Sequence, residues 1–251
     1  MSGVRDLTLL HTRFTVLETA RVPMAVIGSM VFPTLALLFF VVPMREVAGN
    51  HLYATQAVVG MSFFAVMTNC LFSFGVGVAE DREKPWDPYL RTLPVGPGPR
   101  IAARLLNGLI WSLLSLVPLL VVGWLLTEAG TSVGRFLLCA PLLAAGAMPF
   151  LFGGLAMGYC MSAKAALAVA QVLMFGMAFG GGLFLPPSMF PGWLDLLSRF
   201  LPSRIGRDLL EWGALGGSLP LVEVAGLVAW AALTLLLAVW AYRRDEGRRF
   251  R

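Results

Sequence analysis

The sequence predicts an all-α, polytopic integral membrane protein with six transmembrane helices. Three observations carry that prediction. Hydrophobic residues make up 58% of the chain and charged residues 13%, against roughly 45–50% and about 25% in soluble domains. A chain of 251 residues cannot hide that much apolar surface in its own core, because small globules keep a large surface-to-volume ratio; the remainder must face lipid. Six stretches free of Asp, Glu, Lys and Arg are long enough to cross a bilayer: Val22–Met44, Leu52–Ala79, Leu105–Thr127, Phe136–Ala163, Ala165–Leu194 and Val224–Tyr242. Crossing takes about 20 apolar residues, because roughly 30 Å of hydrocarbon is climbed at 1.5 Å per residue. With six spans, 14 Arg and Lys fall on one side and 5 on the other. The positive-inside rule then places both termini in the cytoplasm.

The elements follow in order within one membrane domain covering residues 1–251. Val4, Leu7, Leu10, Phe14 and Leu17 recur at three- and four-residue spacing, so residues before the first span form an amphipathic helix lying in the interface. The first span, about 22–44, is not a cleavable signal: 21 residues with five charges precede it and no small-residue cleavage site follows. The second is expected at about 55–79. A loop at 80–104 mixes both charge signs with Trp86, Tyr89, Leu90 and Leu93. Apolar side chains between ionic ones are what a docking surface needs, the first for affinity and the second for register. Pro88 can open a short helix there and Pro94 must end it.

The third and fourth spans are expected at about 103–127 and 136–162, the fifth at 165–185. Only Ser162-Ala163-Lys164 divides the fourth from the fifth. That hinge reverses direction only if the two helices form a tight hairpin; without it there are five spans and the termini part company. Residues 183–217 carry Pro186, Pro187, Pro191 and Pro202 yet stay apolar through Trp193, Leu196, Leu197, Phe200 and Leu201. Such pieces are too short to cross, and irregular backbone at membrane depth needs protein or a water-filled cavity around it. They read as an external re-entrant helical hairpin before the last span, about 222–242.

Other classes fall away. The 17 Arg and 2 Lys sit mostly in short stretches between apolar runs, which is membrane topology and not a nucleic-acid face. Cys70, Cys139 and Cys160 form no CxxC pair and read as apolar packing residues, with no metal site. Only His11 and His51 exist, neither mid-span, and no catalytic motif appears. Gly158-Tyr159-Cys160-Met161-Ser162-Ala163-Lys164 lacks the second glycine of a phosphate-binding loop. Apart from Lys164 at a boundary, no span holds an ionisable acid or base, so coupling to protons or sodium has no intramembrane carboxylate to use. Gly154-x-x-x-Gly158 and Gly176-x-x-x-Gly180 allow close helix approach.

Three pieces in register resemble the ABC-type-2 export permease family, from about Leu7 to Tyr242. The first is Arg21-Val22-Pro23 leading to Pro33. The second is Asp81-Arg82-Glu83, Leu90 and Pro94-Val95, with Pro85-Trp86 where the family usually has Gly-Thr. The third is Gly182-Leu183-Phe184-Leu185-Pro186, then Met189-Phe190-Pro191-Gly192-Trp193-Leu194, then Phe200-Leu201-Pro202.

The resemblance implies a permease subunit in the bacterial cytoplasmic membrane, exporting a hydrophobic or amphipathic substrate that is drug- or antibiotic-like or lipid-linked. It implies two copies of a separate ABC ATPase, a second permease copy or a paralogous one, and membrane lipid as partners, with no nucleic acid. No cofactor is bound by this chain; ATP and magnesium belong on the ATPase. The loop helix around Asp87–Leu93 would be the coupling helix. Trp86, Tyr89, Leu90 and Leu93 would contact the ATPase, with Arg82, Glu83 and Arg91 as charged partners, and motion would pass to the second and third spans. A substrate path is expected between two permeases, along Phe64, Met67, Thr68, Asn69 and Phe72 of the second span and Gln171, Met174, Phe175 and Phe179 of the fifth. Asn69, Asn107 and Gln171 suit hydrogen bonding between helices better than ligand contact. The alternative function is a membrane-embedded assembly or immunity factor without transport activity.

Overall fold

The computed structural model describes residues 2–21, 23–85 and 98–249, with side chains described within 6–21, 31–85 and 102–245. Among the described residues the structure is helical, with no strand. Helix α1, Ser2–Ala20, is the expected amphipathic helix. Its threonine side packs against the protein: Thr12 is buried, while Leu10, Phe14 and Leu17 face out. Threonine tolerates this because its hydroxyl bonds back one turn, as Thr12 does to Thr8 O at 2.8 Å and Thr19 to Thr15 O at 2.9 Å. The apolar side is left exposed.

Helix α2, Pro23–Phe40, starts on a proline and contains Pro33. After the short α3, Arg45–Ala48, helix α4 runs His51–Cys70 behind an Asn50 cap that accepts from Leu52 N and Tyr53 N. A π-helical stretch, Leu71–Val76, joins α4 to α5, Gly77–Glu83. The remaining helices are α6, Gly98–Leu126; α7, Val133–Cys160; α8, Ala163–Gly180; α9, Gly192–Ser198; α10, Pro202–Leu215; and α11, Leu221–Arg249. Among the described residues five helices are long and apolar enough to cross a membrane: His51–Glu83, Ala102–Leu126, Val133–Cys160, Ala163–Gly180 and Leu221–Asp245. Helix α2 adds 18 residues, apolar over the described part Val31–Phe40.

The α4–π–α5 column is the centre of the molecule. Its most apolar window is 67% buried, against 22–28% for the other four. Helices α2, α6, α7 and α8 surround it, α10 caps it, and α11 lies against α7. Phe63, Phe64 and Met67 on α4 are fully buried. Phe63 lies over two glycines: a Cβ on Gly146 would come within 2.7 Å of its ring, and one on Gly206 within 2.2 Å. Absent side chains on α7 and α10 thus make the room that docks α10.

The π-helical stretch meets α7 at near backbone contact. A Cβ on Gly158 would lie 2.7 Å from Gly75 O and 2.9 Å from Phe74 O, and one on Gly154 3.0 Å from Cys70 O. The Gly154-x-x-x-Gly158 spacing is therefore a close-approach seam. Gly176, by contrast, has nothing within 4 Å of its Cβ position.

One expectation needs correction. The chain does break between α7 and α8, at extended Met161 and Ser162, and Ser162 caps α8 by accepting from Ala165 N at 3.4 Å. The chain reverses there without the tight hairpin it was expected to need: α8 starts beside Glu83 at the loop end, and just past its far end Leu183 lies against Gly60 of α4. The two helices part at once, and α8 leans on the π-helical stretch instead. Small α8 residues, Ala166, Ala170 and Ala178, are wholly buried in the same apolar core as Leu71, Phe74 and Val76.

Candidate coupling root and membrane path

At the loop end of the molecule, the last turn of α5 and the residue after it carry five consecutive charges, Glu80 to Lys84, of which the last four are bonded within the fold. Each of the four reaches a different part of the fold. Arg82 Nη1 donates to Gly158 O at 2.6 Å and Met161 O at 3.2 Å, the free carbonyls at the end of α7. Its Nη2 donates to Asp245 near the end of α11, a residue 6% exposed. Its guanidinium stands 5.9 Å from the Tyr159 ring, which meets Tyr242 edge-on at 5.2 Å. Glu83 Oε1 accepts from Ala163 N at 2.9 Å, a carboxylate at the positive end of α8. Asp81 pairs with Arg104 of α6 and, at 2.7 Å, with Lys84. Lys84 reaches Glu18 of α1 at 3.6 Å. The root of the loop is thereby fastened to α1, α6, α8, α11 and the end of α7.

Arg82 and Glu83, expected at an ATPase interface, are thus bonded within this chain, Arg82 half-buried and Glu83 still exposed. Trp86, Tyr89, Leu90, Arg91 and Leu93 lie outside the described residues.

The residues expected along a substrate path divide. Phe64, Met67, Asn69 and Met174 are buried within this chain; Thr68 and Phe72 are half-buried. Gln171, Phe175 and Phe179, four residues apart on α8, share one exposed face. An aromatic row connects core to surface: Phe64 lies 5.8 Å from Phe32 and 4.7 Å from Phe184, and Phe184 lies 5.1 Å from Phe179. Asn69 is fully engaged between helices. Its Nδ2 donates to Gly108 O at 2.9 Å and Ser112 Oγ at 2.5 Å, and its Oδ1 accepts from Ser73 Oγ at 2.8 Å. Asn69→Ala is expected to cost the purified chain about 1 kcal/mol, the scale of a polar bond between membrane helices, with substrate preference unchanged. Thermal unfolding and a substrate panel check it; a changed preference at unchanged stability would place Asn69 on the path.

At the opposite end lies a polar cluster of which the sequence reading counted only Arg204 and Arg207, among the five basic residues on the second side. Arg204, Arg207, Asp208 and Glu211 occupy consecutive turns of α10. Arg204 Nε donates to Asp208 at 2.5 Å, and Arg207 lies 3.2 Å from Asp208 and 3.0 Å from Glu211. Gln56 of α4 donates to Glu211 at 2.5 Å. With Trp212 these groups line a cavity of about 570 Å³. Burial raises the Asp208 carboxyl above its ordinary value, opposed by its Arg204 hydrogen bond and the charges of Arg204 and Arg207. Burial lowers the Arg207 guanidinium, opposed by Glu211 and Asp208. Alternating charge sign at three- and four-residue spacing was the available signal.

A family model described as ABC-2 type transporter matches residues 7–214. The chain belongs to the ABC-2 type transporter family. A Bacillus subtilis (strain 168) protein named as a transport permease, YvfS, is 23% identical over 224 residues, 88% of this chain and 91% of that protein. The ABC-2 match opens on α1 and closes at the end of α10. It therefore takes in the loop root, the π-helical stretch, the exposed α8 face and the polar cluster. This ABC-2 chain is a multi-pass membrane protein and the membrane subunit of a transporter.

Proposed function

We propose that this chain is the permease half of an ATP-driven exporter in a bacterial cytoplasmic membrane. Six spans, with α2 as the first, put both termini and the loop root in the cytoplasm, as the basic-residue asymmetry requires. Residues 1–251 act as one transmembrane domain. A separate ABC ATPase, two copies per transporter, holds ATP and magnesium and docks on the loop through Trp86, Tyr89, Leu90, Arg91 and Leu93. Arg82 and Glu83 set the root of that loop. The observation that carries this reading is the root itself: four charges wire one loop to five elements of a transporter-family membrane subunit. A loop that only turned the chain would need no such anchorage.

The pore lies between this chain and a second copy or a paralogue, along the exposed α8 face of Gln171, Phe175 and Phe179, with Phe64, Met67, Thr68, Asn69, Phe72 and Met174 behind it. An apolar, aromatic face supports a hydrophobic or amphipathic substrate, drug-like or lipid-linked. Residues 183–217 form the external re-entrant hairpin, with α10 seated over α4 and α7. The test is Leu90→Asp. It places a charge in an apolar contact and is expected to abolish co-purification of a co-expressed ABC ATPase, and ATP-dependent transport with it. Undiminished co-purification and transport would remove the loop from the interface.

A further inference from the structure

The loop root holds more than the second and third spans. Arg82 bridges two carbonyls at the end of α7 to the carboxylate of Asp245, 163 residues along the chain. Asp245 is 6% exposed at its side chain and Arg82 17%, so the pair is sheltered from the screening that weakens surface ion pairs. The adjacent Glu83 holds the first turn of α8 through Ala163 N. Tyr159 and Tyr242 pack edge-on beside the same guanidinium. One arginine therefore gathers the ends of α5, α7 and α11, and its neighbour adds α8.

We infer that Asp245 is a positioning residue for energy coupling: through Arg82 it locks the end of the last helix to the loop root, so that motion imposed on the loop moves α5, the α7–α8 turn and α11 as one body. This rests on the ATPase reading above. A movement reaching only the second and third spans would leave α7 and α11 behind, and would break the Arg82 bonds at each cycle. With the pair intact, two discrete arrangements of the whole end are the available response, because packed interfaces switch as units.

The experiment uses the chain with its ATPase in lipid nanodiscs, native cysteines replaced by alanine, and spin labels at exposed Glu80→Cys and Arg244→Cys. Distances are measured without nucleotide and with ATP plus vanadate. In the otherwise unsubstituted complex one narrow distance is expected, unchanged by ATP, while a label pair between the two permeases shifts. In Asp245→Asn the distance broadens and becomes ATP-dependent, although the ATPase still co-purifies and hydrolyses ATP. Asp245→Glu keeps the carboxylate and the narrow distance. A distance that stays narrow in Asp245→Asn overturns the inference. So does an Asp245→Asn chain that fails to assemble together with a Glu variant that does not behave as the unsubstituted chain. If ATP moves neither label pair in the unsubstituted complex, the ATPase reading falls and the inference falls with it.

Discussion

Gly158→Ala is expected to destabilise the chain by about 3 kcal/mol, the upper end of overpacking costs. The added methyl would meet Gly75 O at 2.7 Å, Val78 Cβ at 2.8 Å and Phe74 O at 2.9 Å. Two of the three are backbone atoms of the central column, so no side-chain rotation relieves the clash; α7 must move away from it. That movement would also draw Gly158 O from Arg82, loosening the loop root. Gly176→Ala is the internal control, because its Cβ meets nothing within 4 Å. It is expected to leave stability unchanged or raise it by up to about 1 kcal/mol through helix propensity. Thermal unfolding of the purified chain in one detergent compares the two. Equal melting temperatures would show that the α7 seam has room the structure denies it.

Arg207→Ala is expected to cost about 3–5 kcal/mol, the penalty for removing one partner of a buried ionic pair. The Arg207 side chain is 4% exposed and lies between Asp208 and Glu211. Without it, two carboxylates remain beside each other, and Asp208 already resists ionisation through burial. The expected consequence is undocking of α10 from α4 and α7. A cysteine at Ser203, wholly buried in the intact fold, would become reactive to a water-soluble maleimide in that background. Arg199→Ala is the contrast: its pair with Asp195 is one helical turn apart and the Arg199 side chain is 67% exposed, so a loss of no more than about 0.5 kcal/mol is expected. An unreactive Ser203→Cys in the Arg207→Ala chain would show that α10 is held by apolar contacts alone.

Part of the candidate site was legible before the fold. The loop stood out because charges interrupt an apolar chain there, and Asp81, Arg82 and Glu83 were singled out by their place in the family pattern. Their orientation was not legible. Whether Arg82 faces a partner or its own chain depends on Asp245 and Gly158, which no local spacing brings near it. The α10 cluster was the opposite case. Its four charges share a helix, so the pairing within α10 was readable from spacing, but its tie to Gln56 was not.

Residue type alone determined that this chain lives in a membrane, how many apolar stretches it has, and roughly where each begins and ends. Those properties are local, because hydrocarbon thickness sets a length and a charge or proline ends it. Tertiary structure alone decided which helix stands at the centre, where the π-helical stretch falls, and which apolar residues are core. Phe64 is wholly buried and Phe179 is 52% exposed, though both are phenylalanines in apolar runs. In water a polar face marks the outside of a helix. In lipid both faces are apolar, so the contrast that periodicity detects is erased and only packing tells inside from outside.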